Sequence, residues 1–142
     1  MTYFFLDTNV VIDVLANREP FSEEATRLLD YGEKGKASLF ISALSYSNIY
    51  YILRKTTTHK ELLSLLRDIE AITTTLGVTR QTIHESINSG HKDFEDAIQL
   101  NTALSDKRIQ AIVTRDPHDF KTKAIAVITP KEALSMIKSN GN

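Results

Sequence analysis

The 142-residue sequence contains no cysteine. Disulfides, thiolate zinc sites and cysteine nucleophiles are therefore excluded, and a reducing, cytoplasmic setting is expected. Long apolar runs are missing too. The longest, such as "NIYYIL", are far too short to cross a bilayer, so no membrane association is expected. The opening "MTYFFLDTN" has no basic stretch followed by a long apolar one, and no secretory signal is expected. There is no large excess of either charge. A net charge of −1 argues against coating nucleic acid by charge alone. It leaves room for an enzyme with its acids in one cleft and its bases around it. Several catalytic signatures are also absent. The four histidines form no HExxH pair, and "IHESI" lacks the second histidine. No GxSxG elbow is present. "GEKGKAS" has the wrong glycine spacing for a phosphate loop and follows a helix rather than a strand.

What remains is the balance of an ordinary globule, 42% hydrophobic and 25% charged. One domain over residues 1–142 is expected, with no repeat, low-complexity tract or linker. "YFFL" reads as a strand and "TNVVIDVLAN" as a helix. "FSEEATRLLDYGEKG" reads as a helix capped by Ser22. "ASLFIS" reads as a strand, and "ALSYSNIYYILRK", "KELLSLLRDIEAI", "RQTIHESINS" and "FEDAIQLNTALSDK" as helices. "QAIVT" and "AIAVI" are strands. "TPKEALSMIK" closes the chain as a helix with Thr129 as N-cap, Pro130 next and Glu132 completing a capping box. Strands alternating with helices predict an α/β fold around a mainly parallel central sheet flanked by helices. Sites in such folds lie at the carboxyl ends of strands.

The acids carry the chemistry. In "GHKDFEDAIQL", a helical wheel puts Asp93, Asp96, Ala97 and Leu100 on the core-facing side. Glu95 falls on the other side with Gln99 and Thr102, and reads as a solvated charge. Asp93 reads as a helix cap and Asp96 as an acid at the positive end of the dipole. Yet a lone carboxylate on a core face needs a partner or a metal. Asp7 follows the first strand and Asp116 the strand "AIVT", with Asp119 three residues on. Taken singly, Asp7 reads as an N-cap and Asp116 as a turn acid. Capping and turn roles do not explain why these acids sit at the same edge of a parallel sheet. Carboxylates without histidine or cysteine make a hard-oxygen site suited to Mg²⁺ or Mn²⁺, and so to phosphoester hydrolysis.

In four pieces, "FLDTNVVIDVL", "FISALSYSNIYYILRK", "DFEDAIQLNTAL" and "IVTRDPHDF", the sequence resembles the PIN-domain ribonucleases. These include the VapC-type toxins of bacterial toxin–antitoxin pairs. The resemblance implies a Rossmann-like three-layer fold and a Mg²⁺- or Mn²⁺-dependent endoribonuclease acting on RNA. It matches Asp7, Asp96 and Asp116 to the family's first, third and fourth acids, with Asp119 as a supporting acid. The family's second acid is replaced here by Asn48, and Asp93 could restore the lost charge. Thr8, Asn9 and Thr114 could orient carboxylates by hydrogen bonds. Arg115, Lys92, Arg54, Lys55 and Lys60 are candidate contacts to the RNA backbone, each also readable as a solvated charge. The resemblance further implies a homodimer and an antitoxin partner.

Three other functions compete. Asn48 favours a catalytically degenerate PIN-like module that only binds RNA or protein. A dehalogenase-type phosphatase would need an aspartate where Asn9 stands. A phosphoacceptor receiver domain would need an early acidic pair and a late lysine, and both are missing.

Overall fold

The structure, a computed structural model, describes residues 1–141. Five strands form one sheet: β1 (Thr2–Leu6), β2 (Ala37–Ser42), β3 (Thr74–Leu76), β4 (Ala111–Val113) and β5 (Ala126–Ile128). Their order is β3-β2-β1-β4-β5 and every pairing is parallel. Seven helices flank the sheet: α1 (Thr8–Leu15), α2 (Ser22–Glu33), α3 (Ala43–Leu53), α4 (His59–Ile72), α5 (Arg80–Ile87), α6 (Phe94–Leu104) and α7 (Pro130–Gly141). A 3-10 turn, Pro117–Asp119, follows β4. The result is the α/β arrangement that the alternating strands and helices predict.

The central strands alternate between two cores, as a period of two requires. Phe4, Leu6, Leu39, Ile41, Ala111 and Val113 pack into one core with helices α1, α2, α3 and α7. Phe5, Phe40 and Ile112 point the other way, against Leu100 and Ala103 of α6. Both faces are covered, so β1, β2 and β4 read as continuous apolar runs.

Three local details differ from expectation. β3 escapes the sequence because its residues, Thr74–Leu76, lie on a partly exposed edge with no apolar run. Ser22 is the first residue of α2 rather than its cap. Phe21 holds the N-cap position, and the Ser22 hydroxyl donates to Glu19 Oε1 at 3.1 Å. The Asp-Pro turn closes as one 3-10 turn, with the Asp119 N–H donating to Asp116 O at 3.0 Å. The capping box of α7 forms as expected: Glu132 N–H donates to Thr129 Oγ1 at 3.2 Å and Thr129 N–H to Glu132 Oε1 at 3.0 Å.

The chain runs from β1 outward through β2 and β3, then crosses back to β4 on the other side of β1. The strand order therefore reverses between β1 and β4, the place where open α/β sheets form their crevice.

Candidate active site

Leu6 pairs with Val113, so the next residues, Asp7 and Thr114, leave the sheet side by side at this crevice. The Asp7 N–H donates to Val113 O at 2.9 Å. Asp7 stands at the N-cap position of α1, but its side chain makes no capping bond. Its Oδ2 instead accepts from Thr114 Oγ1 at 2.9 Å. Asp7 is 6% exposed. Burial pushes its carboxyl up to about 6, although the Thr114 hydroxyl and the Thr8 backbone N–H favour the charged form. The charges of Glu95 and Asp119 add to the rise.

Asp93 does cap α6, its Oδ1 accepting from the Asp96 N–H at 3.0 Å. Asp96 is half-buried at the start of that helix, and its carboxyl is pushed up to about 7. Burial is the main cause, followed by the charges of Asp93, Asp7, Asp119 and Glu95. Every charge acting on Asp96 is thus another carboxylate.

Glu95 is exposed, as its place on the wheel implies. Partial burial of its carboxyl and the nearby Asp93 nevertheless raise its pKa. Its charge also reaches both Asp7 and Asp96. The Asn48 amide favours the charged form of Glu95, although its buried nitrogen closes no hydrogen bond of normal geometry. Gln99 and Thr102, expected on the solvated side, are both 0% exposed. The reason is that α6 is covered on more than one side, by α5 and, at Gln99, by Thr8 of α1 and Ser45 of α3, so a one-sided wheel does not apply.

Asp116 and Asp119 are both exposed, and the charge of Asp116 acts on Asp13 rather than on Asp7 or Asp96. The 3-10 turn carries the chain round so that Asp119 faces the cluster and raises both carboxyls. Asp119 lines the cleft beside Asp96, and Asp116 does not. Arg115 is turned elsewhere as well. Its Nη1 lies 3.6 Å from Asp13 Oδ1, and its guanidinium lies 4.4 Å from the centre of the Phe21 ring. Asp13 is 1% exposed; burial raises its pKa, and Arg115 and Arg18 pull it back. No sequence spacing links Asp13 to Arg115, which are brought together only by the fold.

A cleft of about 550 Å³ opens beside Asp96. Asp93, Asp96 and Asp119 share its walls with His91, Lys92, His118 and Lys121. Lys92 thus stands where a backbone contact was expected, and Lys121 and two histidines set aside on sequence join it. Arg54 does not. It bonds Tyr51 O at 3.0 Å and stacks 3.8 Å from the Tyr51 ring centre. It and Lys55 follow the end of α3, roughly 9 Å along the helix axis beyond Asn48. Lys60 lies in the first turn of α4, exposed. Asn9 is exposed in α1.

Among the described residues, no three Asp, Glu or His side chains stand close enough to enclose a metal ion. The chemistry of the donor set nevertheless fits a hard divalent cation. The donors are carboxylate oxygens, and their mutual repulsion and burial are what a positive charge between them would relieve.

The fold is shared with solved toxin–antitoxin structures. A toxin–antitoxin complex from Klebsiella pneumoniae matches with a TM-score of 0.65 and 23% identity, covering 92% of this chain and 98% of that one. VapBC2 from Rickettsia felis, bound to a DNA fragment from its promoter, matches at 0.63 and 10%, covering 90% and 98%. VapC20 from Mycobacterium tuberculosis, a sarcin–ricin loop cleaving toxin, matches at 0.62 and 16%, covering 77% and 86%. No curated protein sequence matches the chain. The family model for the PIN domain matches residues 3–118, which contain Asp7, Asp93, Glu95, Asp96 and Asp116 and end one residue before Asp119. The chain therefore belongs to the PIN domain family, whose members are generally nucleases.

Proposed function

We propose that the protein is a Mg²⁺- or Mn²⁺-dependent endoribonuclease and the toxin of a toxin–antitoxin pair. The observation that carries this reading is the convergence of Asp7 and Asp96, raised to about 6 and about 7, at the point where the strand order reverses. Asp7 and Asp96 hold the metal in this reading, with Asp119 taking the fourth-acid role that the sequence assigned to Asp116. A divalent ion bound there would lower the pKa of an attacking water and stabilise charge on a phosphoryl oxygen. The chain's own residues do the rest. Thr114 fixes the Asp7 carboxylate through its hydroxyl. Asp93 anchors the first turn of α6 and adds negative charge beside Asp96. Glu95, beside Asn48, supplies the charge that Asn48 lacks. Lys92 and Lys121 hold backbone phosphates in the cleft, with His91 and His118 as further donors. A structure of the same fold is a toxin–antitoxin complex, which supports an antitoxin partner here; a homodimer is proposed from the family resemblance alone.

The test is cleavage of single-stranded RNA against rising Mn²⁺ or Mg²⁺, with Asp96→Asn alongside. Metal-dependent cleavage that vanishes in Asp96→Asn is expected. The second reading, a non-catalytic RNA-binding module, is favoured by Asn48 and by the open arrangement of the carboxylates. RNA binding with no cleavage at any metal concentration would establish it instead.

A further inference from the structure

Beneath the carboxylates lies a polar layer that the sequence did not reveal. Thr8 Oγ1 and Ser45 Oγ are 2.7 Å apart. Gln99 Nε2 donates to Thr8 Oγ1 at 2.8 Å and to Ser45 Oγ at 3.3 Å, so three side chains close a ring. Their exposures are 3%, 0% and 0%. The three come from different helices and distant parts of the chain. Thr8 begins α1, directly after Asp7. Ser45 lies on α3, one turn before Asn48. Gln99 lies on α6, one turn after Asp96 and four residues after Glu95.

Stability does not account for this layer. Gln99 commits its nitrogen to the two hydroxyls and leaves Oε1 buried without a partner. A buried unpaired acceptor costs about 1–3 kcal/mol. An apolar side chain of similar volume would fill the same space without that cost. What a buried polar ring does provide is one allowed register. Each hydrogen bond is lost if its helix slides or rotates by an ångström or so. The ring thus fixes the height of α6 against α1 and α3, and with it the separation of the groups one residue or one turn away.

We infer that Thr8, Ser45 and Gln99 form a positioning unit that holds Asp96 and Glu95 at a set distance from Asp7 and Asn48. Its consequence for catalysis rests on the nuclease reading; its geometric content does not. Positioning hydrogen bonds of this kind typically change metal affinity or activity by about 10- to 100-fold when removed.

The experiment compares wild type with Gln99→Met, which keeps the volume and removes the donor, and with Thr102→Val as a control. Thr102 is equally buried on α6 but bonds only its own helix, at Ile98 O. Metal-free crystal structures, thermal unfolding, Mn²⁺ affinity by calorimetry, and kcat and KM on RNA are measured for each. For Gln99→Met the expected results are a folded protein and an altered Asp7–Asp96 separation. Mn²⁺ affinity and kcat should fall about 10- to 100-fold while KM for RNA is unchanged. Thr102→Val should lose thermal stability alone. A Gln99→Met crystal that keeps the wild-type separation overturns the inference, whatever its activity. If wild type binds no Mn²⁺ and cleaves no RNA, the nuclease reading fails, and the separation still decides the positioning unit. Should Gln99→Met not fold, Ser45→Ala carries the same measurement.

Discussion

Replacing Asp7 with Asn should stabilise the metal-free protein at neutral pH. In the folded state burial raises the Asp7 carboxyl from 3.8 to about 6. Between those values the folded protein holds a proton that the unfolded chain has released. Stability from this group is therefore fully present below pH 3.8 and is lost as pH rises through about 6. A shift of roughly two pH units corresponds to about 3 kcal/mol at pH 7. Asn cannot ionise, and its side-chain oxygen can still accept from Thr114. The assay is urea unfolding of wild type and Asp7→Asn between pH 4 and 8, with EDTA present. The difference reports Asp7 together with its coupling to Asp96, whose carboxyl the Asp7 charge also raises. Asp7→Asn should gain on wild type between pH 4 and about 6, level off above that, and lead by about 3 kcal/mol at pH 7 relative to the difference at the acid end. Saturating Mn²⁺ should then stabilise wild type and leave the variant unmoved. A constant difference across the window, or one that closes as pH rises, would refute the claim that Asp7 is held against its charge.

Other outcomes follow from the same geometry. Asp119→Asn should reduce RNA cleavage far more than Asp116→Asn, since Asp119 lines the cleft beside Asp96 and Asp116 does not; equal losses, or the reverse order, would return the fourth-acid role to Asp116. Lys92→Ala with Lys121→Ala should raise KM several-fold at nearly constant kcat. It should also flatten the salt dependence of RNA binding by about 0.7 per lost phosphate contact; an unchanged salt slope would remove these lysines from the substrate path. Arg115→Met should cost about 3 kcal/mol in chemical denaturation by stranding the buried Asp13, and Asp13→Leu in the same chain should recover most of it.

The fold was legible wherever sequence pattern and burial agree. β1 and β2 are apolar on both faces, and their limits could be read from composition. The α7 capping box is a purely local signal and formed as expected. β3 was not legible, because two threonines and a leucine on an exposed edge carry no periodicity. Of the proposed site, Asp7 and Asp96 are legible from their places after a strand and at a helix start. Gln99 and Ser45 are not. Their roles depend on α6 being covered from two sides, which no single-helix wheel contains. Asp116 and Asp119 flank one 3-10 turn, and three residues of spacing do not say which of them that turn directs to the cleft.

Asp7 and Asp96 are proposed to share one divalent cation. A crystal structure of the protein soaked in Mn²⁺, with anomalous data, tests it directly. The account predicts one strong peak within coordination distance of both carboxylates, with Asp119 or Glu95 beside it, and no peak at that position in Asp96→Asn. A soaked crystal in which Asp7 and Asp96 stay apart with no density between them would contradict it.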